Sequence, residues 1–503
     1  MAVDSKSITT GAAIVAALLL GVIMAISVAT NAAGGLAALI PMITVILTML
    51  ALINPRAGLY GLAALVIWVD QFKRLAVYFG GADSMTVFQT LAMPFIVLGA
   101  LNAGFLLNIM FGKVTIDRLG ILIYAVGTLV GGTVFLTMAG SLPERAQRAA
   151  NIAGYITLIP IANAYFKTFD DWRKFFVFQV IVALPAAAWA IKQYYFGFDI
   201  IEWTYARSEL SKVHAGQMLL FVKPRTFGFF GSASALGCAA IYGAFAWWHC
   251  LRYRQKRFLW LAAALILTWA LVASTQRTAL LYPLIVLLCA YAYRTKFRVF
   301  ALYGSAAVML VLGIINSTYL LEEGLDKVNE AIASDSDWGS EVLKVSTFSD
   351  RLRGWERLKR LETYTLIGTG EKGGGYDDGN LYRNHDLINK ILIEYGIVGM
   401  LLIIGAGMVF LYGLHSTVFA QSNKQNRNDS AFAVALSLPM ILISFVGGDN
   451  FNTNPINLQI WTAVVGVLVF RKQLMRERIA EKIVDKVGNS QPLPGPSSRR
   501  RNA

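Results

Sequence analysis

The residue of this chain best suited to proton transfer is His385, which lies where a long polar stretch gives way to an apolar one. Asn384 and Asp386 flank it, and an apolar run of membrane-spanning length begins at Leu387. Histidine has an unperturbed pKa of about 6.5 and can therefore exchange a proton at working pH. His385 is thus a candidate general base at a membrane surface. The alternative interpretation is a solvated interfacial histidine beside a helix start.

Three arginines near the ends of apolar segments could bind an anion, because the planar guanidinium fork fits a phosphate group. Arg225 precedes the glycine-rich stretch Thr226–Ser232 at the start of a predicted span, where backbone N–H groups are free to bind an anion. Arg277 lies in a tight turn between two spans, and Arg351 opens an amphipathic stretch that predicts a helix lying on the membrane. For Arg225 and Arg277, the alternative is an arginine that anchors a helix end at the interface.

Further polar residues follow the ends of other predicted spans. Lys73 and Arg74 form a cationic pair on the side of the membrane where positive charge is disfavoured, which suggests that they bind an anion. Asp449 lies beside Asn450 between the last two predicted spans and could contact a substrate. The alternatives are interface anchors for the cationic pair and a solvated short loop for Asp449.

The composition indicates which class of protein positions these residues. The chain has 503 residues, of which 56% are hydrophobic and 15% charged, whereas soluble domains carry roughly 25% charged residues. Repeated apolar runs predict an all-α, polytopic integral membrane bundle with about 12–14 transmembrane helices of about 20 residues. The predicted spans are residues 9–30, 33–53, 57–70, 85–109, 119–140, 148–165, 175–195, 229–250, 258–274, 279–293, 299–316, 388–413, 431–447 and 456–470.

The net charge of +15 fits a membrane topology and not nucleic-acid binding. With the N-terminus in the cytoplasm, every predicted cytoplasmic loop contains lysine or arginine, as the positive-inside rule requires. Both termini are then cytoplasmic, and all the leading candidate residues fall on the outer face. The outer segments include residues 71–83 and one large loop, 317–386, in which we predict short helices.

We predict a single membrane domain over residues 1–470 and a basic, partly disordered cytoplasmic tail over 471–503. The first apolar run is interpreted as a span and not as a removed signal peptide. The three cysteines lack the spacing of a metal site or a disulfide pair. The glycines between 368 and 375 lack the Gly-Lys-Ser/Thr ending of a nucleotide-binding loop. Neither a metal nor a cofactor is therefore predicted.

Three groups of residues make the chain resemble the O-antigen ligase and polymerase family of bacterial envelope glycosyltransferases. In chain order they are Arg225-Thr-Phe-Gly-Phe-Phe-Gly-Ser, Ser274-Thr-Gln-Arg277-Thr-Ala, and a series made of Ser349-Asp-Arg351, Trp355, Gly368-Thr-Gly370, His385-Asp-Leu and Glu394-Tyr-Gly396-Ile-Val-Gly399. The chain departs from the family in two places. It has Ser232-Ala233-Ser234 where members often have Pro-Asn, and Asp386 where they commonly have asparagine. Asp386 could orient His385 or raise its basicity, or it could mean a different acceptor.

The resemblance implies a metal-independent glycosyltransferase of the bacterial inner membrane with its active site on the periplasmic face. It would transfer a glycan from undecaprenyl diphosphate to an acceptor, with Arg225 and Arg277 on the diphosphate and His385 as the catalytic base. The residues that we predict to bind substrate are Arg351, Lys73, Arg74, Asp449 and Glu394.

Several functions remain open at this point. We favour polymerisation of exopolysaccharide or O-antigen repeat units. A ligase that transfers the glycan to lipid A–core, or to protein, uses the same donor chemistry. A transporter or flippase for lipid-linked oligosaccharides would place its charges near the bilayer midplane and carry internal repeats, and a purely structural or assembly protein would not need His385. The predicted partners are the lipid-linked donor, a glycan or lipid A–core acceptor, membrane lipid and other polysaccharide-assembly proteins, without nucleic acid.

Overall fold

A computed structural model describes residues 33–80, 84–137, 142–208, 226–231, 233–274, 277–294 and 455–489, with short pieces at 366, 396–401, 405, 428–429 and 431–437. All regular secondary structure in these residues is helical, which confirms the predicted all-α class. The labelled helices are α1 (Ala33–Ile53), α2 (Pro55–Gly80), α3 (Ser84–Met110), α4 (Arg118–Thr137), α5 (Leu142–Ala149), α6 (Tyr155–Tyr165), α7 (Phe169–Phe196), α8 (Ile200–Arg207), α9 (Ala233–Leu236), α10 (Cys238–Arg252), α11 (Arg257–Ala273), α12 (Arg277–Arg294) and α13 (Ile456–Asn489). A π-helical turn, Ala150–Gly154, joins α5 to α6.

Some of the described helices have the length and apolar composition of membrane helices. Four of them are long and apolar enough to cross a bilayer, over Thr90–Met110, Arg118–Leu136, Phe169–Phe196 and Ile456–Glu477. The apolar part of α4 is only 28% buried, and its Leu129 and Leu136 side chains are exposed. An apolar helix with so much uncovered surface is stable at the edge of a bundle that faces lipid, where its backbone hydrogen bonds are satisfied internally.

The predicted spans locate most of the described helices but misplace two boundaries. The predicted end of a span at residue 70 is displaced, because α2 continues to Gly80 and contains both Lys73 and Arg74. The predicted outer location of residues 71–83 stays a prediction. The predicted boundary after residue 470 is also displaced, because α13 continues to Asn489 and includes the first part of the predicted tail. In both places a helix continues with polar residues beyond its apolar segment. The length of an apolar run in the sequence therefore underestimates the length of the helix.

Several predicted elements lie outside the described residues. They include the spans at 9–30 and 299–316 and, apart from residue 366, the large loop 317–386. The predicted number of spans and the division into domains therefore remain predictions.

Capping boxes fix the starts of two helices that later frame the site. The Thr168 hydroxyl accepts a hydrogen bond from the Asp171 backbone N–H at 3.2 Å, and the Asp171 carboxylate accepts one from the Thr168 backbone N–H at the same distance. Asp199 and Glu202 form the equivalent pair at the start of α8. Such a cap stabilises a helix start by about 1 kcal/mol. Both pairs have the three-residue spacing that defines the motif.

The core is centred on Trp172, a fully buried side chain of α7. Its indole Nε1 donates a hydrogen bond of 2.8 Å to the Thr462 carbonyl of α13. Its ring packs against Phe176 at a centroid distance of 5.0 Å. The helices approach closely here because α13 has glycine at position 466, where a Cβ would lie 2.5 Å from Cε2 of the Trp172 ring.

We expect Gly466→Ala to destabilise the bundle by about 1–3 kcal/mol, because the new methyl group would overlap a ring that has no room to move. Gly132→Ala in α4 is the matched control, since a Cβ at Gly132 meets open space. Thermal unfolding of both full-length variants in the same detergent measures the difference. Equal midpoints for the two variants would contradict this packing.

Candidate functional site

The sequence-predicted site residues divide into two groups. Lys73 and Arg74 are described in full, and Arg277 is the first residue of α12, three positions after Ser274. The remaining predicted residues lie outside the described residues: Arg225, Arg351, His385, Glu394 and Asp449. Their roles stay predictions, as do the substrate-binding roles of the described residues.

The segment that immediately follows Arg225 is a buried turn, which we call the 226–231 turn. Thr226 is fully buried and Phe230 nearly so, and the Phe230 backbone N–H donates to the Phe227 carbonyl at 3.0 Å. Gly228 has a φ of 59°, in the left-handed region that favours glycine. A Cβ at Gly228 would overlap the Ala186 carbonyl oxygen of α7. The chain therefore needs glycine here for both conformation and space.

Arg74 holds the carbonyl side of this turn. Its Nη1 donates to the Gly228 carbonyl at 2.8 Å, and its Nη2 donates to the Phe230 carbonyl. The guanidinium also lies 4.2 Å from the centroid of the Phe227 ring. Arg74 is only 2% exposed, so its charge is stabilised by carbonyl dipoles and an aromatic face in place of water.

Gln193, in the last turn of α7, holds the N–H side of the same turn. Its side-chain Oε1 accepts hydrogen bonds from the backbone N–H groups of Phe227 at 3.0 Å and Gly228 at 2.8 Å. Its Nε2 donates to the carboxylate of Glu202. Sequence reasoning missed Gln193 altogether, because no local pattern links a glutamine to a turn more than thirty residues away. Glu202 could have been noticed through its capping-box spacing after Asp199.

Aromatic rings pack the turn against the neighbouring helices. Phe229 lies between Trp68 of α2, at a centroid distance of 4.9 Å, and Trp189 of α7, at 5.5 Å. Phe227 stacks on Phe198 at 5.1 Å. Each such pair adds about 0.5–1.5 kcal/mol beyond the area that it buries. The turn is therefore fixed by packing as well as by hydrogen bonds.

Lys73 forms an ion pair beside the turn. Its Nζ lies 2.7 Å from Asp70 Oδ1 and 5.1 Å from the centroid of the Tyr205 ring. The Asp70 carboxylate in turn lies close against Gly231, where a Cβ would come within 2.6 Å of Oδ2. Both charged side chains are largely buried. The pair thus places one negative and one positive group at the C-terminal end of the 226–231 turn.

The part of the chain that the structure describes contains no group of three or more His, Cys, Asp or Glu side chains arranged to hold a metal ion.

The described helices, four of which are long and apolar enough to cross a bilayer, are those of an integral membrane helical bundle. Within this bundle, a family model described as O-antigen ligase matches residues 262–404. The match confirms the resemblance to the O-antigen ligase and polymerase family. It supports glycosyl transfer of that type, with a lipid-linked glycan donor and a glycan acceptor. No curated protein and no solved structure shows a significant match to the chain.

The matched segment contains some of the predicted site residues and leaves others out. Arg277, Arg351, His385 and Glu394 lie within residues 262–404. The other predicted residues lie outside it, namely Arg225, Lys73, Arg74 and Asp449. The 226–231 turn and its partners therefore add a part of the candidate site that precedes the matched segment.

We expect Gly228→Ala to disrupt the 226–231 turn and to reduce both the stability of the protein and its activity. The change adds a left-handed backbone penalty of about 1–2 kcal/mol and an overlap with the Ala186 carbonyl. Gly112→Ala isolates the first effect, because Gly112 has a φ of 66° with open space around its Cβ position. Thermal unfolding of both variants is the measurement, and Gly228→Ala should lower the midpoint more. A larger loss for Gly112→Ala would contradict this account.

Proposed function

We propose that this protein transfers a glycan from an undecaprenyl-diphosphate-linked donor to an acceptor on the periplasmic face of the bacterial inner membrane. The observation that carries the proposal is the O-antigen ligase match over residues 262–404, which contains His385 and Arg277. The lipid-facing helices agree with a donor that is itself dissolved in the bilayer. Both termini are placed in the cytoplasm by the distribution of Lys and Arg between predicted loops.

The chemistry assigns one role to each of the three leading residues. His385 takes the proton from the acceptor hydroxyl, whose oxygen attacks the anomeric carbon of the donor glycan. The bond between that carbon and the phosphate oxygen breaks, and undecaprenyl diphosphate leaves as an anion. Arg225 and Arg277 hold the diphosphate and stabilise the negative charge that grows on it. Each of these steps uses only side chains of this protein, so the transfer proceeds without a metal ion or a cofactor.

The described structure supports these assignments for the two arginines. Arg225 is attached directly to the buried 226–231 turn, which is held by α2 and α7. Arg277 is the first residue of α12, where unpaired backbone N–H groups favour an anion. Lys73 lies next to the same turn, but its charge is balanced there by Asp70, so the positive charge for the donor comes from Arg225 and Arg277. An anion such as a diphosphate is the ligand that this collection of groups favours.

Polymerisation of exopolysaccharide or O-antigen repeat units is the form of transfer that we favour. Ligation of the glycan to lipid A–core or to protein is the second candidate, because the family model is described as O-antigen ligase. Transport of lipid-linked oligosaccharide is less well supported, since the sequence predicts Arg225, Arg277 and His385 at the ends of spans, whereas transporters bind substrate near the midplane. Other polysaccharide-assembly proteins are expected partners.

We expect His385→Ala and Arg225→Ala each to abolish glycan transfer while leaving the protein folded in the membrane. The first loses the base and the second loses a guanidinium on the leaving group, which is worth about 10²–10³-fold or more for a single electrostatic contact. Arg254→Ala is the control, because Arg254 is an exposed arginine in the predicted cytoplasmic loop after α10. The measurement is the glycan profile of a deletion strain complemented with each variant.

The same profile distinguishes the candidate functions. Loss of long chains, with single repeats still attached to lipid A–core, would identify a polymerase. Polymer that accumulates on undecaprenyl diphosphate while the core stays bare would identify a ligase. Normal glycan from both the His385 and the Arg225 variants would rule out the catalytic assignment.

We expect transfer by the purified protein to continue in EDTA, because the proposed chemistry relies on arginines to stabilise the leaving diphosphate. The measurement is the initial rate of product formation with and without chelator. A loss of rate that added divalent ion restores would show instead that a metal ion takes part, and the adjacent carboxylates Asp377 and Asp378 would be the first ligands to test.

A further inference from the structure

We propose that Gln193 is a positioning residue for glycan transfer, and that Glu202 fixes the orientation of its side-chain amide. The proposal rests on the proposed function, because it concerns the segment attached to Arg225. Both residues precede the segment that matches the O-antigen ligase family model, and neither was suggested by the sequence. They act on the turn through hydrogen bonds and not on the substrate itself.

Gln193 contacts the 226–231 turn through hydrogen bonds. Gln193 is fully buried near the C-terminal end of α7. Its single Oε1 atom accepts from two consecutive backbone N–H groups, those of Phe227 and Gly228. The Gln193 side chain thus accepts the backbone hydrogen bonds that a carbonyl oxygen would accept in a regular helix or sheet. Leaving a buried N–H group without its acceptor costs about 1–3 kcal/mol.

Glu202 determines which end of the Gln193 side-chain amide faces the turn. A glutamine amide presents an acceptor at one end and donors at the other, and only the acceptor end satisfies two N–H groups. The Glu202 carboxylate can only accept when ionised, so it selects the orientation in which Gln193 Nε2 faces it. Glu202 is 2% exposed. It is held by Trp189 Nε1 and by the Asp199 backbone N–H, each at 2.7 Å.

The hydrogen bonds on the turn bear on Arg225, because Arg225 immediately precedes the turn in the chain. α7 holds the N–H groups of the turn through Gln193, and α2 holds its carbonyl groups through Arg74. The backbone direction at Thr226 is therefore set from both sides, and Arg225 is the next residue toward the N-terminus. A displacement of about 1 Å in a group that must meet the transition state can cost roughly 100-fold in rate. Loss of Gln193 should thus lower kcat more than it raises KM.

The test compares two glutamines of the same helix. Gln193→Leu removes the acceptor of the turn, and Gln179→Leu removes an equally buried glutamine that instead accepts from the Tyr242 hydroxyl at 3.1 Å. Both variants lose a buried amide from α7, so a general loss of stability should affect both. Full-length proteins in nanodiscs are assayed with the lipid-linked glycan extracted from the deletion strain. Thermal unfolding of each variant is recorded in parallel.

We expect Gln193→Leu to lower kcat by about 10- to 100-fold relative to Gln179→Leu, with a smaller change in KM. Gln193→Leu leaves two N–H groups without an acceptor and should also lower the unfolding midpoint more, so kcat is compared at a temperature at which both variants are folded. If both variants have the same kcat, the positioning role is wrong. If Gln193→Leu does not fold, the nearly isosteric Gln193→Glu replaces it in the comparison. Gln193→Glu places a second carboxylate beside that of Glu202, and the repulsion between the two should also lower kcat.

A charge swap tests the role of Glu202 directly. In the double variant Gln193→Glu/Glu202→Gln, the introduced carboxylate can accept from the turn while the introduced amide donates to it. Part of the lost kcat should therefore return relative to Gln193→Glu alone. The recovery should be partial, because Trp189 Nε1 donates to the same carboxylate oxygen that faces Gln193 and then loses its acceptor. A double variant no faster than Gln193→Glu would overturn the orienting role of Glu202.

The failure of this proposal differs from the failure of the proposed function. Arg225→Ala is assayed in the same series. If it retains wild-type kcat, the assignment of Arg225 itself is wrong. If it is inactive while the Gln193 and Gln179 variants have equal kcat, Arg225 acts in transfer without help from Gln193, and only the positioning role is lost.

Discussion

The candidate site depends on one physical interaction, the buried contact between Arg74 and the carbonyl groups of Gly228 and Phe230. A charge taken out of water is costly unless hydrogen bonds replace its hydration. Here two carbonyl dipoles and the Phe227 ring do so. In return, one guanidinium fixes the direction of two peptide groups at once. A lysine could not hold both carbonyls with the same planar fork.

This contact joins parts of the chain that are far apart in sequence. α2 contributes Arg74, and the end of α7 contributes Gln193, so the 226–231 turn is fastened between two long helices. Rigid helices position a functional group better than a free loop does. Arg225 is the residue immediately before this turn in the chain, and its proposed contact with a diphosphate would require accurate placement. In the proposed function, the turn therefore links the packing of the bundle to the chemistry.

The family match and the turn describe different halves of the candidate site. Residues 262–404 contain the predicted base and Arg277, whereas the turn and the residues that hold it come earlier in the chain. A site assembled from both halves would require the early helices to pack stably. The close contact between Gly466 of α13 and Trp172 of α7 provides part of that packing, because α7 also carries Gln193.

The sequence by itself determined the helical membrane class, most described helices and the family resemblance, because these depend on local hydropathy, spacing and residue type. It could not determine where Lys73 and Arg74 lie, because a hydropathy pattern assigns charged residues to water-exposed segments and cannot recognise an arginine that is buried in protein. Only the tertiary structure decided that α2 continues through Arg74 and that Gln193 meets the turn. Those facts depend on hydrogen bonds between residues as many as 156 positions apart, which no local pattern encodes.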